Sequence, residues 1–89
     1  MRIYGFDWDE RNLEHISEHG VRDYEAEEAI LYGSPIFSRS RNQTRVAFGV
    51  TQGGRYLLIV FVKKAHGIIR VITARDMTYR EKHNYRKRR

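Results

Sequence analysis

With 89 residues, no cysteine and a formal net charge of +6, the chain can build one modest hydrophobic core. It can form neither a disulfide framework nor a thiolate metal site. No apolar run is long enough to span a membrane and residues 1–7 form no secretory leader, so one soluble, cytoplasmic domain over residues 1–89 is expected.

Ile3, Tyr4 and Phe6 mark a short first strand. Asp7 or Asp9 can cap the free N–H groups of a helix whose apolar stripe is Leu13 and Ile16, and Gly20 stops it. A second helix follows Asp23. It carries Ala26, Ala29 and Ile30 on one face and ends before Gly33 and Pro35. Ile36–Arg39 reads as a weak edge strand. In Thr44–Thr51, Val46, Phe48 and Val50 alternate with Arg45, Ala47 and Gly49, the pattern of a half-buried strand. Gln52-Gly53-Gly54-Arg55 is a turn, and Tyr56–Lys63, apolar on both faces, is a central strand. After a second turn, Ala65-His66-Gly67, comes the strand Ile68–Ala74. Thr78-x-x-Glu81 is a capping box that opens a last helix. The predicted order is β-α-α-β-β-β-β-α. It describes an α+β domain: a small antiparallel meander with two N-terminal helices and one C-terminal helix, the helices covering one face.

Charge is unevenly spread along these elements. Residues 1–35 hold nine acids and three bases; residues 36–89 hold two acids and fourteen bases. A basic surface for nucleic acid or for an acidic partner is expected in the second part. Arg70 and Arg75 sit in or beside a strand that otherwise reads as core. A desolvated, unpaired guanidinium costs roughly several kcal/mol, so each needs an anion. That anion is a carboxylate of this chain, such as Asp9 or Glu81, or a phosphate of something else. Arg45, on the polar face of its own strand, is a third candidate. Glu81 and Tyr85 are one turn apart on the last helix, and Lys82, Arg86 and the tail Arg86-Lys87-Arg88-Arg89 offer non-specific attraction to a phosphate backbone.

His15 and His19 are also one turn apart. His19 directly precedes the helix stop, where exposed carbonyls favour a protonated imidazole, and can act as a general acid or base. His15-Ile16-Ser17-Glu18-His19 fits the H-x-x-E-H pattern of one class of zinc peptidases. Such a site needs a further ligand and a substrate cleft, and no metal is expected here.

Phe6-Asp7-Trp8-Asp9, His19-Gly20-Val21, Glu25-Ala26-Glu27-Glu28, Arg45 and Arg70-Val71-Ile72-Thr73-Ala74-Arg75, followed by Glu81 and Tyr85, together resemble the BrnT family. These are small ribonuclease toxins of bacterial type II toxin–antitoxin pairs with a RelE-like fold. The resemblance spans nearly the whole chain and is most specific in its C-terminal part. It departs from the family pattern at Asn12, where a lysine is common after Trp-Asp, and in a Trp8-to-His19 interval one residue shorter. The resemblance implies RNA cleavage without metal or other cofactor. The ribose 2′-hydroxyl attacks its own phosphate, Arg70 and Arg75 hold that phosphate, His19 or Tyr85 transfers protons, and Glu81 orients them. Arg45, Lys82 and Arg86 bind RNA. A cognate DNA-binding antitoxin, forming a hetero-oligomer with the toxin, is the expected protein partner. The alternative is a non-catalytic nucleic-acid or partner-binding module on the same fold.

Overall fold

Asp9 starts the first helix: its carboxylate accepts from the backbone N–H groups of Arg11 and Asn12, while the Asn12 side chain accepts from the Asp9 N–H in return. The computed structural model describes residues 1–88; Arg89, the last residue of the basic tail, lies outside them. In chain order the elements are β1 (Gly5–Phe6), α1 (Glu10–Ser17), α2 (Asp23–Leu31), β2 (Ile36–Arg39), β3 (Thr44–Val50), β4 (Tyr56–Lys63), β5 (Ile68–Asp76) and α3 (Tyr79–Arg88). Gly20, at φ +72°, supplies the left-handed residue that turns the chain out of α1. Thr78 and Glu81 make the expected reciprocal box at the start of α3. Among the described residues no helix is long and apolar enough to cross a membrane.

The five strands form one sheet in the order β1-β5-β4-β3-β2. Strands β2 to β5 are the expected antiparallel meander, and β1 adds to it in parallel, Gly5 beside Ile68 and Phe6 beside Ile69. The fold is therefore α+β with a mixed sheet. The helices do not share one face. Helices α1 and α2 supply Ile16, Ala26, Ala29 and Ile30 to a core with Ala47, Leu57, Ile59, Phe61, Ile69, Val71 and Ala74. Helix α3 lies on the other face, where buried Tyr85 meets Leu58 and Met77 with half-buried Val46, Phe48 and Val60 around them. The physical reason is in β4: its apolar residues point to both faces, and each face needs cover.

In β3 the buried side is the small one. Ala47 and Gly49 face the main core, and Val46, Phe48 and Val50 are half-buried toward α3. Small residues let α2 lie close on the sheet; a Cβ on Gly49 would strike the backbone carbonyl of Ala29.

Strand β5 carries a bulge that matters more. Val60 pairs with Thr73 and Phe61 with Val71, so Ile72 is the extra residue and is 42% exposed. Beyond it the side chains change face. Arg70 is opposite Val62, Thr73 opposite Val60 and Arg75 opposite Leu58. Alternate residues of β4 share a face, so Arg70, Thr73 and Arg75 share the face that carries α3. In a regular strand, arginines five apart would project to opposite sides.

Candidate functional site

Arg75 lies in β5 three residues before Thr78, which opens the capping box, and its guanidinium meets the box carboxylate as a fork. Nη1 donates to Glu81 Oε1 at 2.8 Å and Nη2 to Oε2 at 3.0 Å. Glu81 Oε1 also accepts from the Thr78 N–H at 2.8 Å. The Arg75 hydrogen bonds and, less strongly, the Thr78 amide outweigh burial and hold the Glu81 carboxyl down to about 2. A group so acidic is a weak base at neutral pH; its chemistry is to orient Arg75.

A stability measurement checks this. Glu81→Gln keeps an acceptor for Thr78 and gives up the charge. The folded pKa lies below the ordinary value, so the ion pair stabilises the protein fully above about 4.5 and the benefit is lost as pH falls toward about 2. Because the Arg75 side chain is 39% exposed, the difference at neutral pH is expected to be on the order of 1–2 kcal/mol. Urea midpoints of the two proteins should converge between pH 4.5 and 2; a gap that stays constant would mean the carboxylate is not so held.

Arg70 also has partners within the chain. It lies 3.0 Å from Asp9 Oδ2, 3.1 Å from Asp9 Oδ1 and 3.5 Å from Asp7 Oδ2. Asp9 is lowered chiefly by this hydrogen bond, and Asp7 chiefly by its 2.7 Å bond to Lys64. Both arginines thus have internal carboxylates, but neither is sealed: the Arg70 side chain is 24% exposed. Their register places them about 13 Å apart along the sheet.

Lys82 and Arg86 lie over the ring of Tyr56, at 4.6 and 5.0 Å from its centroid, and Arg86 Nε reaches the Tyr56 hydroxyl at 3.3 Å. Among the described residues neither cation has a carboxylate partner within salt-bridge distance. Tyr56 was not singled out by sequence, because only the fold brings the start of β4 beneath α3. Tyr85 is 2% exposed; its hydroxyl donates toward the carbonyls of Gly33 and Ser34 at 3.0 and 2.9 Å, which ties α3 to the α2–β2 link.

Two of the residues singled out lie elsewhere. Arg45 is opposite Phe61, on the face away from Arg70 and Arg75. His19 lies in the turn after α1, its ring edge-on to His15 at 5.9 Å, and its carbonyl accepts from Arg55. The histidine that shares a cavity with Arg70 is His15: with Arg11, Asn12, Arg70, Val71 and Ile72 it lines an open cavity of about 410 Å³. Arg55, also missed, binds Asp76 through both carboxylate oxygens and reaches Glu25 and the Gly20 carbonyl, which locks the end of α1 to β4 and β5. His15, Glu18 and His19 gather no third ligand; among the described residues no group of three His, Asp or Glu side chains is arranged to hold a metal ion.

The departure at Asn12 has a structural use. Its amide donates to the carbonyls of Asp7 at 2.9 Å and Val71 at 3.0 Å, its oxygen closes the α1 capping box, and it is 4% exposed. Trp8, from the same motif, donates through Nε1 to Glu27 at 2.8 Å and fastens the first loop to α2.

Compared with known families, residues 8–81 match the model described as a ribonuclease toxin, BrnT, of a type II toxin–antitoxin system. Among curated proteins no sequence matches.

Proposed function

Because the chain belongs to the BrnT family of type II toxin–antitoxin ribonuclease toxins, we propose that it cleaves RNA without a metal ion and that a cognate, DNA-binding antitoxin inhibits it by forming a hetero-oligomer in the cytoplasm. The observation that carries the reading is the β5 bulge. It turns Arg70 and Arg75 to one face, the face on which α3 offers Lys82 and Arg86. In this reading Arg75, with Lys82 and Arg86 beside it, stabilises the charge that gathers on the phosphate as the ribose 2′-hydroxyl attacks. Glu81 fixes the Arg75 fork. His19 carries the proton of the attacking hydroxyl or of the leaving oxygen; it follows α1, and its carbonyl is tied through Arg55 to Asp76, the neighbour of Arg75. Tyr85 acts as an anchor of α3 near this surface.

One observation favours a second reading. Arg70 and Arg75 already have carboxylate partners, as a purely structural pair of arginines would. The rival is therefore a non-catalytic RNA-binding module. Incubation of the purified chain with single-stranded RNA in excess chelator separates the two. Cleavage is expected to persist and to leave 2′,3′-cyclic phosphate ends, which 2′-hydroxyl attack makes and water attack does not. Co-purification with the product of an adjacent reading frame should abolish it. A folded protein that binds RNA in a salt-dependent way, yet leaves it intact alone and with ribosomes, would establish the binding module instead.

A further inference from the structure

Arg39 of β2 and Arg45 of β3 are direct cross-strand partners. Directly opposed residues in an antiparallel pair have Cβ atoms about 5 Å apart, and like charges there destabilise the sheet. Lys63 of β4 adds a third positive charge. Arg45 is opposite Phe61, and Lys63 is two residues farther along the same face of β4, so Lys63 lies diagonal to Arg45. Arg39, Arg45 and Lys63, with Ser40, Gln43 and Thr44, line an open cavity of about 420 Å³ at the β2–β3 hairpin. Among the described residues none of the three cations has a carboxylate within salt-bridge distance, although Arg55, Lys64, Arg70 and Arg75 all do. Every acid of the second part of the chain is committed elsewhere: Asp76 to Arg55 and Glu81 to Arg75. Phe37, two residues before Arg39 on the same face, is 37% exposed and meets the buried Phe61 edge-on at 6.1 Å.

From this geometry we infer a second RNA-binding site, in which Arg39, Arg45 and Lys63 hold a phosphodiester and Phe37 offers a ring to an adjacent base. Three cations around a cavity, next to an exposed aromatic ring, are the parts from which single-stranded nucleic acid sites are made. The site is on the face of the sheet opposite Arg75 and at the other end of β4, so it holds a segment of the RNA separate from the cleavage position. Its role is affinity. The inference rests on the RNA reading above.

The test uses the full-length protein and a 2′-O-methyl RNA oligonucleotide, which cannot be cleaved by 2′-hydroxyl attack. The double variant Arg39→Gln/Arg45→Gln is compared with Arg2→Gln/Arg22→Gln, which removes the same charge from the N-terminal part. The hairpin variant is expected to bind at least about 10-fold more weakly than its charge-matched control. Its log K against log salt slope should be shallower by about 0.7 for each phosphate released. Its thermal midpoint should be unchanged or raised, since a like-charge pair has been removed; a marked fall would reveal a structural role. Equal affinity of the two double variants, with wild-type protein cleaving RNA normally, overturns this site and leaves the ribonuclease reading intact. If the hairpin variant keeps its RNA affinity and loses only affinity for poly-glutamate, the cluster serves an acidic protein and the RNA assignment is overturned. If wild-type protein neither binds nor cleaves RNA, both readings fall.

Discussion

Asn12→Ala is expected to destabilise the protein by roughly 2–4 kcal/mol, a large effect for a polar residue on a surface helix. Three hydrogen bonds end at this one side chain. Its oxygen satisfies the Asp9 N–H, and its amide satisfies the carbonyls of Asp7 and Val71. Loss of a capping partner costs about 1 kcal/mol, and a buried acceptor left unmet costs roughly 1–3 kcal/mol more. The Val71 carbonyl is the expensive one, because its bond to Asn12 is buried, whereas the one at Asp7 is only partly so. Asn12→Asp is the sharper variant: it keeps the acceptor for Asp9, replaces the donor by an acceptor and sets a charge against two carbonyl oxygens. Its cost should equal or exceed that of alanine. Urea denaturation at neutral pH, with the slope unchanged, is the measurement. A wild-type midpoint for Asn12→Asp would show that the amide bonds to Asp7 and Val71 contribute nothing.

Features set by neighbours in the chain were legible. The Asp9 cap, the Thr78–Glu81 box, Gly20 as a helix stop and the bounds of β4 each follow from a few adjacent residues, and the structure has them all. Features set by register were not. The bulge at Ile72 leaves no mark in an apolar run from Ile68 to Ala74, because a strand of β-branched residues looks the same with or without one extra member. Arg70 and Arg75 were legible as residues in need of anions, and Asp9 and Glu81 were legible as candidates. That the two arginines share a face was not. Nor was the face of α3, since its one buried aromatic, Tyr85, could meet either side of β4. Tyr56 beneath Lys82 and Arg86, and Arg39 opposite Arg45, are likewise products of pairing between distant segments. Asn12 shows the converse. It stood out as a departure in a motif, and its physical role appeared only when β5 was beside it.

Arg75→Ala is expected to lower RNA cleavage by roughly 10²–10³-fold, in kcat more than in KM, the usual effect of removing one donor that meets developing charge. Folding should change by only about 1 kcal/mol, because the pair with Glu81 is at the surface and Glu81 keeps its bond to the Thr78 N–H without it. Arg75→Lys retains the charge and loses the two-pronged contact with Glu81 Oε1 and Oε2, so it should recover only part of the rate. A double-mutant cycle then tests how Glu81 acts. A carboxyl held near about 2 does not exchange protons at neutral pH, so its contribution passes through Arg75. Glu81→Gln alone should therefore slow cleavage, while Glu81→Gln/Arg75→Ala should be no slower than Arg75→Ala. Full additivity of the two losses would give Glu81 a part of its own in the chemistry. A folded Arg75→Ala protein with wild-type kcat would remove both residues from the site and move the search for the cleavage centre to the cavity that Arg70 shares with His15.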